Sequence, residues 1–232
     1  MERTSRHKMT SSTSPLMIRY ATPCDPIEAD GVVFDALVCD NSGSMEQQSF
    51  EDGKTKRLTV REAILGFLAS KRQHRPQDYV SIVAFHHSAT VCCGFLNVDT
   101  DCSKLHTAVE MMAKVPTGGT EMRTGLQKAF KLIRSVDEYI PAHNAMARIL
   151  AYSDGYDFAE RKALRLARKL KARDVMIETF GVGRDRTDVD EAFLREVATT
   201  IDDFTHYRFL GDATAVRQTF SDVATGFLTF ED

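Results

Sequence analysis

The stretch FDALVCDNSGSM, residues 34 to 45, constrains this chain more than any other. An apolar run ends abruptly at Asp40, and Asn41, Ser42, Gly43 and Ser44 follow. Nearly continuous apolar character is what a parallel strand covered on both faces requires. The polar residues after it read as a short loop at the strand's carboxyl end, with one carboxylate and two hydroxyls at alternate positions. Gly43 is expected to bend the backbone between the serines through a positive φ, which glycine adopts without penalty. Three small oxygen donors around such a bend suit a hard divalent cation such as Mg2+. Asp35 interrupts the run. It lies an odd number of residues from Asp40, so the two carboxylates point to opposite faces and are not read as a catalytic pair. Asp35 is expected near the strand's entrance, paired or solvated.

Strand and helix patterns alternate along the rest of the chain. Strands are predicted over residues 32–39, 79–85, 90–96, 147–154, 175–183 and 205–210, the third antiparallel to the second. Helices are predicted over 58–70, 103–114, from 122 onward, and over 158–173, 190–199 and 213–227. Residues 46–57 read as a polar loop with an Asp-Gly turn at Asp52 and Gly53. This order predicts an α/β domain with a mostly parallel central sheet between helix layers and one short antiparallel edge strand. At 232 residues, 43% of them hydrophobic, the chain can bury a full core as one domain. That domain is expected over 29–232. Residues 1–28 read as a disordered tail and lead-in, with a short edge element at 15–23 and a turn at 24–31.

A formal net charge of -3 gives no global field for nucleic acid or an anionic membrane. The helix carrying Arg161, Lys162, Arg165, Arg168, Lys169 and Arg173 reads as a solvated face, without interleaved aromatics for base stacking. Cys24, Cys39, Cys92, Cys93 and Cys102 form neither a disulfide framework nor a zinc pattern and are expected to be reduced and mostly buried. No apolar run approaches the roughly 18 residues of a membrane span, and no signal-peptide core is visible. A cytoplasmic location is therefore expected. His86 and His87 are neighbours that cannot easily share one metal from a strand. They read, with His74, His106, His143 and His206, as loop and surface histidines. GVGRDR, residues 181–186, lacks the third glycine of a dinucleotide loop.

Ligands of open α/β sheets bind beyond the carboxyl ends of the strands. Three polar loops are predicted at that rim: Asp40 to Ser44, Thr117-Gly118-Gly119-Thr120, and Ser153-Asp154-Gly155. Alone, the first is an ordinary turn, Thr120 a helix cap, and Asp154-Gly155 a strand-end turn. Together, in this order, they resemble the von Willebrand factor A domain and its metal-ion-dependent adhesion site. The pattern is DxSxS after the first strand (Asp40, Ser42, Ser44), a threonine in a later glycine-containing loop (Thr120), and an aspartate ending the fourth strand (Asp154). The resemblance covers about residues 30 to 228 and implies a doubly wound sheet.

The resemblance further implies Mg2+ or Mn2+ bound directly by the Ser42 and Ser44 hydroxyls. Asp40 and Asp154 would act mostly through bound waters, and Thr120 directly or through water. Compact bacterial members associated with tellurite-resistance and stress operons are similar. The expected function is a non-enzymatic adaptor that recruits a Glu or Asp of a partner protein to the metal. An alternative is a metal-independent scaffold that uses the tail or the basic helix. A phosphotransferase of the haloacid-dehalogenase kind would need a second aspartate two residues after Asp40, where Ser42 stands. No serine lies in a GxSxG elbow.

Overall fold

The computed structural model describes residues 31–47, 50–136, 145–173 and 175–226. The predicted tail and the edge element at 15–23 lie outside them, as does His143. The first strand, β1 (Val32–Asp40), leads into a 3-10 turn (Gly43–Glu46) and helix α1 (Lys56–His74). Strands β2 (Tyr79–Phe85) and β3 (Ala89–Asn97) follow, then helices α2 (Cys102–Lys114) and α3 (Met122–Val136). The second half runs through β4 (Ala145–Ser153), α4 (Glu160–Lys171), β5 (Met176–Val182) and α5 (Glu191–Val197). A small hairpin of β6 (Thr200–Ile201) and β7 (Phe204–Thr205) precedes β8 (Tyr207–Leu210) and α6 (Ala213–Thr225).

The main sheet has the order β3-β2-β1-β4-β5-β8. All neighbours are parallel except β2 and β3, the expected antiparallel edge. Residues of β1 alternate between two cores. Leu37 and Cys39 pack with Ile64, Phe67, Val109 and Phe220, while Ala36 and Val38 pack with Leu126, Ala129, Ala163 and Leu194. Helices therefore cover both faces. The strand order reverses about β1, with β2 on one side and β4 on the other, so their carboxyl ends flank a crevice that binds ligands in such sheets.

Asp35 lies deeper in β1 than expected. It is fully buried in mid-strand, opposite Arg148 of β4. Its Oδ1 accepts from Arg148 Nε, and Lys71 Nζ of α1 lies 2.8 Å from its Oδ2. It is paired, not solvated. The predicted strand over 205–210 is also divided. Asp202 and Asp203 both have positive φ, 48° and 66°, the backbone of a two-residue hairpin turn whose twist suits its strands. That hairpin shortens the preceding helix. Gly43 is not in the left-handed region, because Gly53 and Gly155 are the described glycines with positive φ. The bend between the serines is a 3-10 turn instead. The face of α4 carrying Arg161, Arg165, Arg168 and Lys169 is exposed. Of the four described cysteines only Cys39 is fully buried, so the thiols are less hidden than expected. Among the described residues no helix is long and apolar enough to cross a membrane.

Candidate metal centre

The three loops converge at the carboxyl end of β1 and β4. Asp40, the last residue of β1, is held at both carboxylate oxygens. Its Oδ1 accepts from the Ser42 amide at 2.8 Å, and its Oδ2 from the Ser153 hydroxyl at 2.6 Å. Ser153 Oγ in turn accepts from the Gly155 amide at 2.9 Å, which ties the end of β4 to the end of β1. Asn41 fastens the same loop outward: its amide donates to Phe85 O of β2 and its Nδ2 to Val115 O. Met45, fully buried, anchors the 3-10 turn. The result sets Ser42 Oγ 3.1 Å from Ser44 Oγ.

The second loop is joined to the first by the Gly43 amide, which donates to Gly118 O at 2.9 Å. Thr120 is buried beside it. The amide of Met122 at the start of α3 donates instead to Asp157 Oδ2, so the cap that Thr120 alone would suggest comes from elsewhere. Asp154 is fully buried, and Gly155 after it has φ +85°; a Cβ there would meet Asp190 O at 2.8 Å. Only glycine fits that turn. Lys56 Nζ lies 3.3 Å from Asp154 Oδ2, while Asp154 Oδ1 is buried with no hydrogen-bond partner among the described residues. Burial, reinforced by the neighbouring Asp154 carboxylate, pushes Asp40 up to about 7.

All five predicted residues, Asp40, Ser42, Ser44, Thr120 and Asp154, thus belong to one end of the sheet. Ser42, Ser44 and Thr120 line a surface cavity of about 420 Å3, together with Gly118, Tyr156 and Phe158. No group of three or more His, Cys, Asp or Glu among the described residues could hold a metal ion. A cation here would rest on hydroxyls and two carboxylates, and the buried Asp154 oxygen with no hydrogen-bond partner among the described residues fits such a donor set.

A family model for the von Willebrand factor type A domain matches residues 36–222. The chain belongs to this family. A search of curated proteins found no match. Among similar solved structures, the pilus adhesin SpaC from Lactobacillus rhamnosus GG has a TM-score of 0.70 at 14% identity, covering 86% of this chain and 31% of the adhesin. A von Willebrand factor type A protein from Catenulispora acidiphila gives 0.65 at 19%, over 84% of this chain and 42% of that one. The conserved hypothetical protein BatB from Bacteroides thetaiotaomicron gives 0.62 at 16%, over 82% and 96%. This chain thus spans less than half the length of the first two. At these identities the likeness is one of fold.

Four features of this von Willebrand factor type A domain escape the sequence reading. Lys56, assigned to a polar loop, opens α1 and is buried against Asp154. Ser153 bridges the two strand ends, and its only signal was its place before Asp154. His86 is buried rather than superficial, with its Nδ1 2.8 Å from that of His87 and its carbonyl accepting from the Glu121 amide. His206 is likewise fully buried, and burial pushes its imidazole down to about 4.

Proposed function

We propose that this chain is a divalent-metal-dependent protein-binding module, in which a metal-ion-dependent adhesion site takes an acidic side chain of a partner protein. The observation that carries the proposal is that two apposed serine hydroxyls and two buried carboxylates gather at one end of the sheet, one carboxylate oxygen having no hydrogen-bond partner among the described residues. Ser42 and Ser44 would hold Mg2+ or Mn2+ through their hydroxyls, Thr120 directly or through water, and Asp40 and Asp154 mostly through water. When bound, the ion supplies a Lewis-acidic position that a carboxylate can fill. Neutral hydroxyl donors leave its charge incompletely offset, so partner carboxylate and cation strengthen each other's binding by reciprocal linkage. Beside the hydroxyls, Tyr156 and Phe158 are 52% and 86% exposed. They offer an apolar wall to residues flanking the partner's acid. An intracellular site of action, as in the similar stress-operon members, is part of this proposal.

The Asp40 carboxyl provides a test. With its value near 7, it carries a proton in mildly acidic solution that must leave before the carboxylate can serve a cation. Mn2+ affinity should therefore rise by up to about tenfold per pH unit below about pH 7 and flatten above it. Calorimetry in two buffers of different ionisation enthalpy should register proton release near pH 6 of roughly one per ion. In the metal-free protein the sign is opposite. The raised value contributes stability fully present below the ordinary 3.8 and lost as the pH rises through about 7. Mn2+ affinity that is flat from about pH 5.5 to 8 would contradict the participation of Asp40.

A further inference from the structure

Lys56 stands where elementary electrostatics disfavours a lysine. It is the first residue of α1, a helix of 19 residues with no acid in its first turn. The N-terminal end of a helix is the positive end of its dipole, which favours anions. A lysine ordinarily lets its ammonium reach water, yet Lys56 is 2% exposed. What holds it is Asp154, whose Oδ2 faces its Nζ at 3.3 Å while Oδ1 has no hydrogen-bond partner among the described residues. One oxygen of a candidate metal-binding carboxylate is therefore engaged by a cation belonging to the protein itself. Breaches of local rules of this kind concentrate at functional sites.

We infer that Lys56 is a resident counter-charge of the metal centre, which weakens its hold on a divalent cation and strengthens the loaded centre's attraction for a carboxylate. The inference rests on the metal-binding reading above. Asp40, Asp154 and Lys56 together leave one net negative charge when both acids are ionised, so a divalent ion makes the centre net positive. Without Lys56 the same ion would only bring it to neutrality. Lys56 thus exchanges cation affinity for anion affinity. In the metal-free protein it also spares Asp154 from being an uncompensated buried charge.

The test compares wild type, Lys56→Met (similar length, no charge) and Lys56→Arg by calorimetric titration with Mn2+, with and without acetate. Removing a unit charge that lies 3.3 Å from a carboxylate of the centre should tighten Mn2+ binding by Lys56→Met about tenfold or more, whereas Lys56→Arg stays near wild type. Acetate should tighten Mn2+ binding by the wild type and do so less for Lys56→Met. In EDTA, Lys56→Met should melt below wild type, and the gap should narrow with Mn2+. A purely structural lysine would lower the melting temperature without tightening the metal. A folded Lys56→Met whose Mn2+ affinity equals or falls below that of wild type overturns the inference but leaves the metal site standing. Absence of Mn2+ binding by all three proteins overturns the metal reading and the inference with it.

Discussion

Replacing Arg148 with methionine should lower the stability of the fold by about 3–5 kcal/mol. Arg148 is fully buried in β4 and donates to Asp35 of β1 and to Glu178 Oε1 of β5 at 3.0 Å. It also donates to Val223 O at 2.8 Å and Gly226 O at 3.1 Å, carbonyls at the end of α6. One guanidinium therefore links three strands and reaches carbonyls of the last described turn of α6. Burial pushes the Asp35 carboxyl up, but Arg148 and Lys71 together outweigh it and hold it below the ordinary value. For Glu178 burial prevails over Arg148 and the carboxyl lies above its ordinary value. Methionine would leave Glu178 buried without its guanidinium and Asp35 with Lys71 alone. Because a wholly apolar replacement of a buried network is often neutral or better, Asp35→Leu/Arg148→Met/Glu178→Leu should recover much of the loss. Urea unfolding reads both. A cost below about 1 kcal/mol for the single variant, the scale of a solvent-exposed ion pair, would contradict the network's role.

Asp154→Ala should fail in two separable ways. It removes a carboxylate from the candidate metal centre, and it leaves the ammonium of Lys56 buried without its partner. Breaking a buried pair from one side costs about 3–5 kcal/mol, and the 3.3 Å separation puts this pair at the lower end. Metal affinity should fall by about tenfold to a hundredfold, the range for residues that hold a metal through its ligands. Asp154→Ala/Lys56→Met should regain most of the stability but bind Mn2+ about tenfold to a hundredfold more weakly than Lys56→Met alone. Chemical denaturation and Mn2+ titration of the two variants separate the effects. Equal Mn2+ affinity in the double variant and in Lys56→Met would remove Asp154 from the site.

The architecture was legible because its signals are local. The unbroken apolar character of β1, the helical spacing of Leu126, Ala129 and Ile133, and the short turn at His87 and Ser88 each follow from residues near in sequence. The gathering of Asp40, Ser42, Ser44, Thr120 and Asp154 was legible for another reason, the resemblance of their order to the von Willebrand factor A pattern, with polar loops at the carboxyl ends of the strands. What escaped depends on long-range pairing. Asp35 and Arg148 are 113 residues apart, and nothing near either announces a buried ion pair. Lys56 and Asp154, 98 residues apart, are invisible for the same reason, because a lysine in a polar stretch reads as solvated. The hairpin at Asp202 and Asp203 was missed because it needs positive φ at two aspartates where glycine or asparagine is the usual signal.

The measurement that bears most directly on the central claim is titration of Mg2+ and Mn2+ into the purified chain by calorimetry and thermal melting, beside Ser42→Ala/Ser44→Ala. The wild type should bind one or both ions and melt at a higher temperature when loaded, as any ligand of the native state requires. Acetate should tighten that binding, by the linkage expected of a centre that recruits a carboxylate. The double variant should keep its fold and lose both effects. Equal binding by the two proteins, or no binding by the wild type even with acetate present, would contradict a metal centre at Ser42 and Ser44.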